Sequence, residues 1–150
     1  MSRFLIAIAL TAILGPTARS AANTTTNQTP AMKIRITLAN KVLTATLADN
    51  KTARDFVSLL PLTLTMNDLF GREKFGHLPR AISKEGKRTD TYEIGDIAYW
   101  SPGPDVAIYY HQDGEKIPDP GIIIIGKIDS GADALNVTGS VKVTIELVQK

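Results

Sequence analysis

Two imidazoles, His77 and His111, are the only histidines in the chain, and acid–base or metal chemistry would begin with them. His77 has no metal-ligand spacing around it. Near His111, Asp113 and Glu115 alternate with Gln112 and Gly114. On a strand that spacing sets three donors on one side, as in a surface cation site; beside a glycine turn it equally describes a solvated hairpin end. Asp96 follows Gly95 within an otherwise apolar run, so it is either an inward carboxylate needing hydrogen bonds or the mark of a bulge or turn. The chain has no cysteine, which excludes disulfides, thiolate metal sites, a cysteine nucleophile and a lipidated cysteine. No Gly-x-Ser-x-Gly and no glycine-rich phosphate loop opening a helix is present. Neither a metal nor a cofactor is expected.

The amino terminus has a different purpose. Arg3 precedes an apolar run from Phe4 to Leu14, interrupted only by Thr11 and followed by Gly15, Pro16 and the small residues Ala18, Ser20 and Ala22. This is the pattern of a cleavable export signal over residues 1–22, too short to span a bilayer. Residues 23–31, small and polar, read as a flexible linker, and residues 32–150 as one domain in a periplasmic or secreted location. Removing residues 1–22 takes away two arginines and no acid, so the formal charge falls from +2 to zero. A neutral domain has no electrostatic footprint for nucleic acid, and no stable membrane insertion is expected once the signal is gone.

Within the domain, Met32, Ile34, Ile36 and Leu38 alternate with polar residues, and Leu43, Ala45 and Leu47 repeat the pattern after Ala39-Asn40, which predicts a hairpin. Ala53, Phe56, Val57 and Leu60 then fall at helical spacing, predicting a helix over 51–60 with a capping-box spacing at Thr52 and Asp55 and a stop at Pro61. Alternation resumes over 62–67. Residues 71–91, rich in glycine and charge, read as loop with a short strand at 80–83. Strands follow at 92–100, 105–111, 121–128 and 140–148, with a second short helix near 130–135.

Several strings resemble cyclophilins. Lys51-Thr52-Ala53-Arg54-Asp55-Phe56 is similar to the opening of the cyclophilin first helix, and Ile125-Gly126-Lys127-Ile128, continuing to Gly131-Ala132-Asp133-Ala134-Leu135, to the strand that leads into the second. Gly95-Asp96-Ile97, Tyr99-Trp100-Ser101-Pro102-Gly103 and Pro120-Gly121 resemble the small, mostly bacterial and archaeal cyclophilin-like proteins. The resemblance implies a mainly β fold, a closed eight-stranded cyclophilin-like β-barrel with one or two short helices. It implies no common activity.

Cyclophilins place a catalytic arginine on the strand after the first helix, where this chain has Leu62-Thr63-Leu64-Thr65-Met66-Asn67. The family's Gln-Gly-Gly-Asp string is absent, and Lys116-Ile117-Pro118-Asp119-Pro120-Gly121 stands where its tryptophan and histidine are expected. Only a loop arginine, Arg80, is a candidate donor. Tyr110 matches a site-lining phenylalanine of the family; alternation sets Ile108 on its side and turns Tyr109 away, with Trp100 and Met66 as neighbours or, on the other reading, all of them as core. The expected function is a non-catalytic module binding a peptide or small apolar ligand at Tyr110, Ile108, Trp100 and Met66. The alternatives are a divergent peptidyl-prolyl isomerase using Arg80 or another loop donor, or a structural or assembly protein without a ligand.

Overall fold

The computed structural model describes Gly15 and residues 29–149. The expected export signal, Gly15 apart, and most of the linker lie outside the described residues. β1 (Lys33–Leu38) and β2 (Lys41–Leu47) form the anticipated hairpin, with Ile36 opposite Leu43 and Ile34 opposite Ala45. Helix α1 (Lys51–Val57) is capped by Asn50, whose side-chain oxygen accepts the Ala53 N–H at 2.8 Å, so the cap sits ahead of the Thr52–Asp55 pair. Residues 58–60 leave the α-helix because their N–H groups bond three residues back, to Asp55, Phe56 and Val57, which tightens the final turn.

The remaining strands are β3 (Leu62–Leu69), β4 (Glu73–His77), β5 (Arg88–Thr89), β6 (Asp96–Trp100), β7 (Asp105–Tyr109), β8 (Ile122–Ile128) and β9 (Val141–Leu147), with a 3-10 turn at Ala132–Leu135. The order is β2-β1-β9-β3-β4-β7-β6-β8, all antiparallel, and β2 pairs with β8 to close an eight-stranded barrel; β5 is a two-residue addition along β8. Closure leaves no free edge in the ring. The interior is filled: Ile34, Ile36, Phe56, Met66, Tyr99, Ile108, Ile125 and Ile145 are each fully buried in one cluster. A second buried cluster, centred on Tyr92, Ala98, Ala107, Tyr109 and Ile122, lies on the other side of the sheet.

Two expectations about residues 71–91 are corrected. The short strand predicted at 80–83 is absent; that segment is irregular, and it is held by Ile82 N–H to the Tyr99 hydroxyl at 3.3 Å and by Ser83 N–H to Asp55 at 2.7 Å. A true strand, β4, lies in the stretch read as loop, because its pattern is inverted. Lys74 points into the barrel end and is fully buried. Its ammonium is satisfied by Asp68 Oδ1 at 3.0 Å and by the Val137 and Gly139 carbonyls at 2.5 and 2.8 Å. Phe75 meanwhile faces outward.

The closing seam has a steric requirement at Gly126. A Cβ there would lie 2.9 Å from the Thr46 carbonyl oxygen and 3.2 Å from Leu47 Cδ2. Gly126→Ala is therefore expected to destabilise the domain by about 1–3 kcal/mol, measured as a lowered midpoint in urea unfolding with an unchanged slope.

Candidate ligand-binding groove

On β7 the alternation of a strand sends Val106 and Ile108 into the barrel and Asp105, Ala107 and Tyr109 outward. The flanking strands add matched rows. Asp105 lies between His77 of β4 and Trp100 of β6, Ala107 between Phe75 and Ala98, and Tyr109 opposite Glu73. Two alanines in the middle row leave a hollow between larger neighbours. The segment carrying Ile117 and Pro118 walls one side, with Ile122 of β8 beneath it, while Leu69 and Phe70 stand at the rim. The result is an open cavity of about 220 Å³ whose lining is chiefly apolar and aromatic, with Arg72, Glu73 and Asp105 as its charged members.

Arg72 is buried and doubly countered. Its Nε donates to Glu73 at 2.8 Å and its Nη1 to Asp113 at 3.4 Å. The guanidinium also lies over the rings of Phe70 and Tyr92, at 5.2 and 5.6 Å. Tyr92 in turn stacks on Tyr109 with centroids 4.0 Å apart, and its hydroxyl donates to Asp113 at 2.8 Å. Burial pushes the Glu73 carboxyl above its ordinary range, with Arg72 pulling the other way. Burial, reinforced by the Glu73 charge, raises the Tyr109 phenol so far that it stays a neutral hydroxyl.

Asp105 is the exception in this wall. Its Oδ1 is buried with no hydrogen-bond partner among the described residues. Nδ1 of the exposed His77 ring stands 2.5 Å from Oδ1, an ion pair when the imidazole is protonated. Desolvation raises the Asp105 carboxyl, and the His77 charge opposes that rise. The carboxylate folds back over Gly103, where a Cβ would come within 2.1 Å of Oδ2.

Of the ligand-site residues expected from sequence, only Trp100 lines the groove. Ile108 and Met66 are fully buried in the barrel interior, where they offer no surface to a ligand. Tyr110 joins them there; its hydroxyl finds a partner in Asp68 Oδ1 at 2.5 Å, and burial together with that carboxylate pushes its phenol up to about 12. Tyr109 does turn away from Ile108 and Tyr110, and the side it turns to is the groove. Arg80 does not line the cavity; it bonds Asp55 at 2.9 Å and Ser58 at 2.6 Å, pinning its own loop to α1. Asp113 is turned to Arg72 and Tyr92, and no cluster of three potential metal ligands occurs among the described residues. Asp96 takes the turn role: its Oδ2 accepts the Glu93 N–H at 2.8 Å next to Gly95, and a register shift follows at Ile97/Ala98.

The sequence profile of the cyclophilin-like family matches residues 36–146, most of the chain. The chain belongs to the cyclophilin-like family. Among solved structures, this cyclophilin-like barrel is similar to the solution structure of a hypothetical protein from Archaeoglobus fulgidus, with a TM-score of 0.64 and 23% identity over 82% of this chain and 99% of that one. Such a likeness speaks for the fold alone. Comparison with curated proteins gives no match.

The cyclophilin-like groove thus holds two carboxylates raised by burial, Glu73 countered by the buried Arg72 guanidinium and Asp105 facing only the exposed His77 ring. Because its raised value lies above the ordinary 3.8, the cost of ionising Asp105 is absent at lower pH and grows as pH rises through the raised value. Asp105→Asn is expected to raise the thermal midpoint relative to the native chain at pH 7, with the gain shrinking toward zero as pH falls through that range. Paired melting curves across the acid limb check it.

Proposed function

We propose that this cyclophilin-like protein is a non-catalytic binding module and that its ligand seats in the outer groove over Ala107, between Phe75, Trp100 and Tyr109. The observation that carries this reading is the cavity itself, a concave aromatic bed on the outside of a barrel whose inside is full. Its volume of about 220 Å³ lies below the roughly 300–1,000 Å³ of drug-sized pockets. That suits one ring or one side chain, from a small ligand or a peptide, and not a long stretch of chain. The apolar run from Phe4 to Leu14 supports placing this module outside the cytoplasm.

A second reading, prolyl isomerisation, draws support from Arg72, an arginine in the groove wall that Arg80 does not replace. Such catalysis requires a donor aimed at the prolyl amide. Two of the Arg72 nitrogens are already committed to Glu73 and Asp113, which favours binding without turnover.

Trp100 is the only tryptophan, so its emission reports the groove directly. Small aromatics such as benzyl alcohol and short proline-containing peptides are expected to shift it saturably in about the millimolar range. Ala107→Leu, which fills the hollow, is expected to weaken that binding by about tenfold or more. No response at saturating probe removes the groove from consideration. In a protease-coupled isomerisation assay the native chain is expected to leave the uncatalysed rate unchanged, and acceleration abolished by Arg72→Lys would establish the second reading instead.

A further inference from the structure

Buried carboxylates in folded proteins are held by hydrogen bonds or ion pairs, because a desolvated and unmatched charge opposes folding. The other buried charges here obey that rule. Lys74 is held by a carboxylate and two carbonyls, and Arg72 and Glu73 hold each other. Asp105 is held less completely. It is 9% exposed and lines the cavity, and its Oδ1 has only the exposed imidazole of His77 beside it and no hydrogen bond from the groove. Its one basic neighbour, His77, has a side chain 74% exposed at the outer end of the row. The groove also has an imbalance of charge: Arg72 faces both Glu73 and Asp113, so the cation of the wall is already matched and Asp105 is the remainder.

The aromatic lining points the same way. Asp105 lies directly across from Trp100 in the sheet, one row from Phe75 and on the same outward face as Tyr109. Aromatic faces gathered around a carboxylate attract organic cations, through the ring quadrupole and the charge together, and the attraction is strongest where water is excluded.

We propose that the ligand of this groove carries a cationic nitrogen, a primary ammonium or guanidinium on an apolar or aromatic stem, whose N–H donates to Asp105 while the stem lies against Trp100, Phe75 and Tyr109. This assignment rests on the groove being the binding site and goes beyond it by setting the chemical class of the occupant. The cation replaces the exposed His77 contact and gives the buried Oδ1 a donor from within the groove. A neutral ring of the same size fills the same hollow but leaves the carboxylate unmatched.

The test compares probes of equal size and different charge on the native chain: benzylammonium, benzyl alcohol and benzoate, titrated against Trp100 emission and the amide shifts of Asp105 and Trp100. Benzylammonium is expected to bind about tenfold more tightly than benzyl alcohol, with benzoate weakest. Asp105→Asn is expected to bring the first two together by lowering benzylammonium affinity alone, with circular dichroism confirming the fold. Nα-acetyl-lysine amide, run alongside, separates a peptide side chain from a free amine as the source of the cation. Equal affinity for the charged and neutral probes, a preference for benzoate, or a preference that persists in folded Asp105→Asn overturns the assignment while leaving the groove in place. Silence from every probe overturns the groove reading and this one with it. The native-chain comparison stands even if the variant does not fold.

Discussion

Closure of the barrel is the constraint from which the remaining features follow. Eight antiparallel strands joined through β2 and β8 pair the backbone all the way around, and the space they enclose is wide enough for side chains but for little else. Isoleucine, tyrosine, methionine and the helix residue Phe56 occupy it completely. Among the described residues the interior is packed core, and the cavity over Ala107 lies on the outer side of the sheet. The outer side of β4, β6 and β7 is where residues stand that the barrel interior does not enclose.

That division explains what could be read from the sequence. Where one side of a strand meets the interior and the other meets water, hydrophobicity alternates, and β1, β2, β3 and β9 are legible for that reason. Around the groove both sides of β7 are covered, so Asp105-Val106-Ala107-Ile108-Tyr109 reads as a strand without revealing which side holds the site. The resemblance of Tyr110 to a site-lining residue pointed to the inner side, and the structure sets Tyr110, Ile108 and Met66 there as packing. β4 was illegible for the opposite reason. Its lysine is inside, matched by carbonyls from a distant loop, and its phenylalanine is outside, covered by residues more than twenty positions away. Neither partner is visible from local periodicity, so Arg72, Glu73 and Phe75 carried no signal.

The buried charges show two uses of the same expensive ingredient. Lys74 ties β4 to β3 and to the loop before β9, with every proton of its ammonium satisfied, and Tyr110 shares its carboxylate partner Asp68. A network completed in this way specifies one arrangement of the barrel end more than it adds net stability. Arg72 and Glu73 do the same at the groove wall, where the aromatic stack of Tyr92 on Tyr109 keeps water from their pairing. Asp105 belongs to neither arrangement: its Oδ1 is buried with only an exposed imidazole beside it.

Gly103 shows how far the placing of that acid reaches. The turn between β6 and β7 looks like ordinary surface hairpin, the kind of segment in which drift is cheap. Yet the missing methyl at Gly103 is the space in which the Asp105 carboxylate rests. A side chain at residue 103 would meet the Asp105 carboxyl at 2.1 Å and its backbone nitrogen at 2.6 Å, so a change in this modest turn moves the acid and the start of β7 together.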